Sequence, residues 1–268
     1  MKLLNGSELA GYIKERQAKQ VRNLRQSHKI FPKLAIITTT DNPVIMTYVN
    51  LKRHYGEDIL IDIEIHEVTM DQIEETIMTL NTDSGVHGII VQLPLADEIK
   101  TDEIVRQIAP EKDVDGLGSD TVFTPATALA IQWLLAGYNI GLDDKNLLIV
   151  GNGRLVGAPL ARVWQTSGLA PKIADINTQD LAAETKLADI IVTATGVPGL
   201  IKSDMIKPET VIVDAGTASE NGKLVGDLAS DVRERDDLTM TPEKGGVGPL
   251  TIAALFDNVI QAARQRID

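Results

Sequence analysis

Strand-length apolar runs alternate with helix-period stretches along most of this chain, and no other feature constrains its fold as strongly. KLAIITT (33–39) precedes a helical stretch around 43–56, IDIEIHEV (61–68) precedes one around 71–81, and VHGIIVQL (86–93) follows. Continuous apolar runs suit strands buried on both faces, so this series predicts βαβαβ with a parallel sheet. PEKDVDGLGSD (110–120) breaks the pattern with Pro, Gly and Asp, as a connection between lobes would. Beyond it, KNLLIV (145–150), a helix from about 156, KIADI (172–176), another helix, ADIIVTAT (188–195) and TVIVDAG (210–216) predict a second doubly wound unit. LTIAALFDNVIQAARQRID (250–268) has an apolar face at helical spacing with no strand after it, so it is expected to cap either lobe.

A chain of 268 residues is long for one compact core and short for three, which favours two lobes sharing a cleft. The 26 Lys and Arg against 38 Asp and Glu leave a formal charge of -12, which repels a phosphate backbone, so nucleic acid is excluded as a partner. There is no cysteine, and His28, His54, His66 and His87 lack ligand spacing, so no metal site is expected. The apolar run in MKLLNGSELAGYIKERQAKQ is too short for a signal segment, and nothing approaches the roughly 20 apolar residues of a membrane span. A cytoplasmic chain with no membrane partner is expected.

LLIVGNGRLVGAP (147–159) joins an apolar strand, a glycine-rich turn and a helix start. In that arrangement backbone N–H groups and a helix N-terminus face a pyrophosphate. Gly151 would permit the tight turn, Gly153 a close backbone approach and Gly157 close packing of helix on strand, with Asn152 and Val156 in the same turn. The spacing G-x-G-x-x-x-G is one residue longer than the usual fingerprint, and a plain strand-to-helix turn would read alike. TATGVPG (193–199), with Thr195 and Gly196, and DAGTAS (214–219), with Gly216, would reach the same carboxyl edge, where such sheets bind ligands. Ordinary strand termination by glycine is the competing explanation. After KIADI, Asp175 stands where an acidic group bonds ribose hydroxyls and repels a 2′-phosphate, and ADINTQD (174–180) has no Arg or Lys. NAD is therefore expected over NADP unless Arg154 reaches across. Asp175 could instead only cap the next helix.

In the first lobe, Tyr48 and Lys52 lie four residues apart on one helix face, which places them in a common pocket or on a solvated surface. Gln92 interrupts an apolar strand, and a buried amide there must find partners, catalytic or backbone. Asp115 lies in an acidic turn, and the glycines of GGVGP (245–249) permit close backbone approach while Pro249 suits a helix start.

Taken together, DNPVIMTYVNLK (41–52), GIIVQLPL (88–95), PEKDVDG (110–116), GNGRLVGAP (151–159) and TPEKGGVGPLTIAALFDN (241–258) resemble, in order and separation, the bifunctional methylenetetrahydrofolate dehydrogenase/methenyltetrahydrofolate cyclohydrolases. The resemblance implies an α/β fold of two doubly wound lobes. A folate-binding βαβ catalytic lobe would span residues 1–119 plus 249–268, and a Rossmann-like NAD(P)-binding lobe residues 120–248. It implies oxidation of 5,10-methylenetetrahydrofolate with NAD(P) and hydrolysis of the methenyl product to 10-formyltetrahydrofolate. Lys52, Tyr48 and Gln92 would be catalytic, with Gln92 holding the lysine. Asp115, Tyr48, Gly246 and Pro249 would meet the reduced folate, a carboxylate matching the two-donor edge of a pterin, while Lys112 and Asp113 shape the loop. A homodimer is also implied.

Several positions depart from the family pattern. Asn152 and Gly153 replace an arginine and a serine, and Asp175, Ile176 and Asn177 replace basic or hydroxyl residues, changes that weaken NADP binding. Ala126 and Ala128, Glu243 and Lys244, the TTT of 38–40 and Ile45 also differ and read as changes to the pocket wall. A dehydrogenase without cyclohydrolase activity and a non-catalytic folate- or nucleotide-binding paralogue are the alternatives these changes raise.

Overall fold

The computed structural model describes residues 2–220 and 223–267. In chain order come β1 (Lys2–Leu3), α1 (Gly6–Ser27), β2 (Lys33–Thr38), α2 (Pro43–Asp58), β3 (Asp62–Glu67), α3 (Ile73–Thr82), β4 (Gly88–Val91) and α4 (Thr101–Val105). Next are α5 (Ala126–Gly137), β5 (Leu147–Val150), α6 (Gly157–Thr166), β6 (Lys172–Ala174), α7 (Leu181–Leu187), β7 (Ile190–Thr193) and β8 (Val211–Asp214). The antiparallel pair β9 (Ala218–Glu220) and β10 (Lys223–Val225), then α8 (Ser230–Arg233), β11 (Thr239–Met240) and α9 (Val247–Arg264), complete the order. Among the described residues no helix is long and apolar enough to cross a membrane.

The chain divides into two compact units, one of Gly11–Ala126 with the residues from Ile252 onward, the other of the residues up to Ala10 with Thr127–Thr251. In the first, a parallel sheet runs in the order β3-β2-β4. Leu34, Ala35, Ile36 and Ile37 of the central β2 are wholly buried, which is why that strand reads as a continuous apolar run. Ile73, Ile77 and Leu80 recur at helical spacing along α3 and pack with Ala35, Ile37, Ile89 and Val91. Each such buried aliphatic side chain contributes roughly 1.5–3 kcal/mol. β4 is shorter than the apolar run that encodes it: it stops at Val91, and Gln92 follows the strand instead of lying in it.

In the second unit six parallel strands run in the order β1-β11-β8-β7-β5-β6. The chain leaves β5 toward β6 and returns past β5 to β7, so the order reverses between β5 and β7, the switch point at which such sheets bind ligands. Residues up to Ala10, given to the first lobe from sequence, belong here. Lys2 and Leu3 pair in parallel with Thr239 and Met240, and the Ser7 N–H donates to the Gly245 carbonyl at 2.9 Å. Residues 120–126, given to the second lobe, belong with the first. Asn258 Nδ2 donates to the carbonyls of Val114 and Thr124, and the Ala126 N–H donates to that of Asp115. Residues 249–251 likewise fall in the second unit.

The sequence pattern gave no warning of α5. Ala128, Ala130, Ile131, Leu134 and Leu135 are all buried, and a helix apolar nearly all round shows no period. Ala126 and Ala128, read above as pocket-wall changes, are core positions of that helix, and Ile45 is a core position of α2. Those three departures alter packing.

Candidate active site and nucleotide site

Helix α2 starts at Pro43, behind an N-cap Asn42 whose side chain accepts from the Val44 N–H at 2.9 Å. Its buried positions are Ile45, Val49 and Gly56, and Lys52 falls in the same register, so the lysine stem runs toward the sheet instead of into solvent. Gly56 makes the close approach possible, because a Cβ there would stand 2.5 Å from the Ile63 side chain. Tyr48 lies half-buried one turn before Lys52.

Gln92 sits just past β4, tied by its own N–H to the Ile37 carbonyl at 2.8 Å. Lys52 Nζ donates to Gln92 Oε1 at 2.8 Å, and Gln92 Nε2 donates to the Leu93 carbonyl at 2.9 Å. The second bond orients the amide so that oxygen faces the lysine. Burial holds the Lys52 pKa below the usual lysine value, with the attraction of Asp115 opposing it. Burial raises the Asp115 pKa, with Lys52 opposing. Burial also raises that of Tyr48, which stays a phenol. The amide acceptor holds Nζ without adding a negative charge, so desolvation remains the larger influence and the Lys52 pKa stays below that of a free lysine.

Asp115 is fixed by its neighbours. Lys112 Nζ donates to the carbonyls of Leu80, Asn81 and Asp83 at 2.7–2.8 Å, collecting the free acceptors at the end of α3. Asp113 accepts from the N–H groups of Gly116, Leu117 and Gly118. Gly116 has φ +74°, and a Cβ there would stand 2.7 Å from Pro125. The Ile89 N–H donates to the Lys112 carbonyl, which runs this loop alongside β4 and carries Asp115 toward the strand end where Gln92 lies.

In the second unit, Gly151 follows β5 with φ +101° and its N–H on the Ala174 carbonyl at 2.7 Å. Gly157 opens α6 so tightly against this turn that a Cβ would stand 1.8 Å from the Gly151 carbonyl oxygen. Around Gly153 a Cβ would meet nothing within 4 Å, and no side chain caps α6 at Val156. A tight turn and open backbone around Gly153 together suit an anion, with Asn152 exposed there, although in the first turn of α6 the Ala158 N–H already donates to the Gly153 carbonyl and Pro159 has none to offer. Asp175 is exposed immediately after β6 and accepts from the Asn177 N–H at 2.8 Å. It does not cap the next helix: Asp180 does, accepting from the Ala183 N–H. Thr195 and Gly196, with φ +68°, follow β7, and Gly216 follows β8, at the same edge.

The sequence profile of the tetrahydrofolate dehydrogenase/cyclohydrolase catalytic domain matches residues 4–115, and that of the NAD(P)-binding domain of the same family matches residues 125–267. This chain belongs to the tetrahydrofolate dehydrogenase/cyclohydrolase family. The bifunctional protein FolD of a Nitratiruptor species is 39% identical, with 99% of each chain covered. The crystal structure of the bifunctional enzyme FolD, methylenetetrahydrofolate dehydrogenase/cyclohydrolase, from Campylobacter jejuni shares 37% identity at a TM-score of 0.94, with 99% of each chain covered. Trypanosoma brucei methylenetetrahydrofolate dehydrogenase-cyclohydrolase, solved with NADP and an inhibitor, shares 28% identity at a TM-score of 0.91, covering 98% of this chain and 97% of its own.

Within this tetrahydrofolate dehydrogenase/cyclohydrolase chain, Lys52, Gln92 and Asp115 converge from a helix, a strand end and a loop of one unit. Gly246 and Pro249 belong to the other. The Gly246 carbonyl fills the space beside Gly6, where a Cβ would stand 1.8 Å away, so the close approach that GGVGP permits is in part an internal one. Sequence reasoning missed Asp214 and Asp227. The available signal was the charge of Asp227 in the short apolar segment LVGDL, which in a buried position demands partners.

Proposed function

We propose that this chain oxidises 5,10-methylenetetrahydrofolate with a nicotinamide dinucleotide, preferring NAD, and hydrolyses the methenyl product to 10-formyltetrahydrofolate. The observation that carries the proposal is the Lys52–Gln92 bond in a desolvated setting coupled to Asp115, within a domain that matches the family's catalytic profile.

Hydrolysis requires a group that takes a proton from the attacking water and returns one as the ring opens. Lys52 can do so because burial favours its neutral amine, and Gln92 holds Nζ in place. Tyr48, protonated throughout, donates a hydrogen bond to the substrate. Asp115 accepts from the ring N–H and 2-amino group of the pterin and orients the one-carbon unit. Gly246 and Pro249 border the folate.

Bound nicotinamide supplies hydride acceptance. Gly151, Asn152, Gly153, Val156 and Gly157 would hold the pyrophosphate, Gly151 and Gly157 by shaping the turn and Gly153 by its open backbone, with no side chain capping the helix start at Val156. Asp175 would take the ribose hydroxyls and repel a 2′-phosphate, while Thr195, Gly196 and Gly216 would border the rest of the cofactor. The same proposal places the chain in the cytoplasm as a homodimer, the latter checked by sedimentation.

Two measurements test it. Rates on methylenetetrahydrofolate with NAD and NADP side by side should favour NAD, and Asp175→Ser should shift the ratio toward NADP. Lys52→Met should abolish methenyl hydrolysis while folate binding stays measurable. Unchanged hydrolysis in that variant would sink the lysine's role.

A further inference from the structure

Behind the turns after β7 and β8 lies a buried acidic pair. Asp227 is wholly buried, and its Oδ2 accepts from the Thr193 hydroxyl and, at 2.7 Å, from the Thr195 N–H. The Asp227 N–H donates to Asp214 Oδ1, which also accepts from the Gly216 N–H at 3.1 Å. Asp214 Oδ2 is paired with Arg233 at 2.8 Å, and Arg233 also donates to the Thr241 carbonyl. One network therefore joins the Thr195 and Gly216 turns.

Two features set Asp227 apart from an ordinary buried ion pair. Its Oδ1 is buried with no hydrogen-bond partner, a cost a purely structural position would be expected to avoid. Oδ1 also occupies the space above Gly216, where a Cβ would stand 2.1 Å away. The glycine at 216 is thus required by the carboxylate behind it, whatever approaches from the front.

We propose that Asp227 is a positioning residue for the nicotinamide dinucleotide, holding the Thr195–Gly196 and Gly216 turns in a binding-competent arrangement from behind, with Thr193 as its hydroxyl partner. This rests on the nucleotide reading above. The carboxylate touches no ligand itself: it fixes the Thr195 N–H directly and backs the Gly216 turn by the close approach of Oδ1, while the Asp227 backbone N–H joins the Asp214 carboxylate that holds the Gly216 N–H.

The test compares wild type with Asp227→Ala, Thr193→Val and Thr193→Ser, reading NAD affinity by calorimetry, KM and kcat for oxidation, and methenyl hydrolysis without nucleotide. Asp227→Ala removes two hydrogen bonds to a charged group and should weaken NAD binding at least about tenfold, in KM more than in kcat. Thr193→Val, isosteric and expected to fold, should weaken it about threefold or more, and Thr193→Ser should restore it. Hydrolysis per mole of folded protein should stay within about twofold in all three, since its proposed proton-transfer groups, Lys52, Tyr48 and Gln92, and the pterin acceptor Asp115 lie in the other unit. NAD affinity within twofold of wild type in Thr193→Val, or hydrolysis falling in step with affinity, would overturn the assignment. Wild type that binds neither NAD nor NADP would overturn the nucleotide reading and this assignment with it.

Discussion

Gly153 and Gly157 share one turn, yet alanine should cost stability at only one of them. At Gly157 the new Cβ would stand 1.8 Å from the Gly151 carbonyl oxygen, 2.8 Å from its carbon and 3.3 Å from Asn152 Cα. All three are backbone atoms, so no side chain can swing aside. Restoring an ordinary contact of at least about 3.4 Å demands a separation of about 1.6 Å between helix start and strand end, an overpacking that costs roughly 1–3 kcal/mol. About 2 kcal/mol corresponds to a fall of roughly 4–8 °C in Tm for a chain of this size. A displacement of this size in a binding cradle costs on the order of 100-fold in function. Gly157→Ala should therefore lose both stability and NAD affinity. Gly153→Ala meets no atom within 4 Å, so its Tm should stay within about 1 °C while the methyl group obstructs the anion and NAD affinity drops. Differential scanning fluorimetry without ligand and calorimetric titration with NAD separate the two effects. Equal Tm losses in both variants, or wild-type NAD affinity in Gly153→Ala, would refute the division into a packing glycine and an approach glycine.

Gln92→Leu removes the acceptor that holds the Lys52 ammonium, leaving burial less opposed, so the lysine pKa should fall further and the limb of the hydrolysis pH profile that reports it should move to lower pH. A limb that moves up or stays put counts against the assignment. Asp115 must be ionised to accept two pterin donors, and its raised pKa means folate affinity declines as pH falls through that value. Lys52→Met takes away the opposing attraction, so the decline should begin at higher pH in equilibrium binding. Asn258→Leu leaves the Val114 carbonyl, and with it the Thr124 carbonyl, without the Asn258 donor, so it should cost about 2–4 kcal/mol in urea unfolding and loosen the loop carrying Asp115. A cost under about 1 kcal/mol would show that the loop is held by other means.

Much of this protein was legible before any coordinates. Strand and helix periods are set by residues within a turn or two of one another, so the apolar runs announced β2, β3, β5, β7 and β8 and the helices between them. The glycine turn was equally local: positive φ at Gly151 and the missing Cβ at Gly157 are demands that only glycine meets, and they leave a mark in the sequence. Tyr48 and Lys52, one turn apart on α2, were visible for the same reason.

What tertiary structure decided has long separation in sequence or no period at all. Lys2 and Leu3 pair with Thr239 and Met240, and two residues carry no alternation that could be read, so the N-terminal segment was assigned to the wrong unit. The bond between Lys52 and Gln92 spans forty residues, and its partners are brought together by α2 packing over β3 and by β4 lying beside β2. Sequence could name an isolated polar residue at the end of an apolar run but not the group it would hold. The same holds for Asp227: whether a lone carboxylate faces water or a threonine hydroxyl and a backbone N–H is determined by register across the sheet, which is settled only when the strands pair.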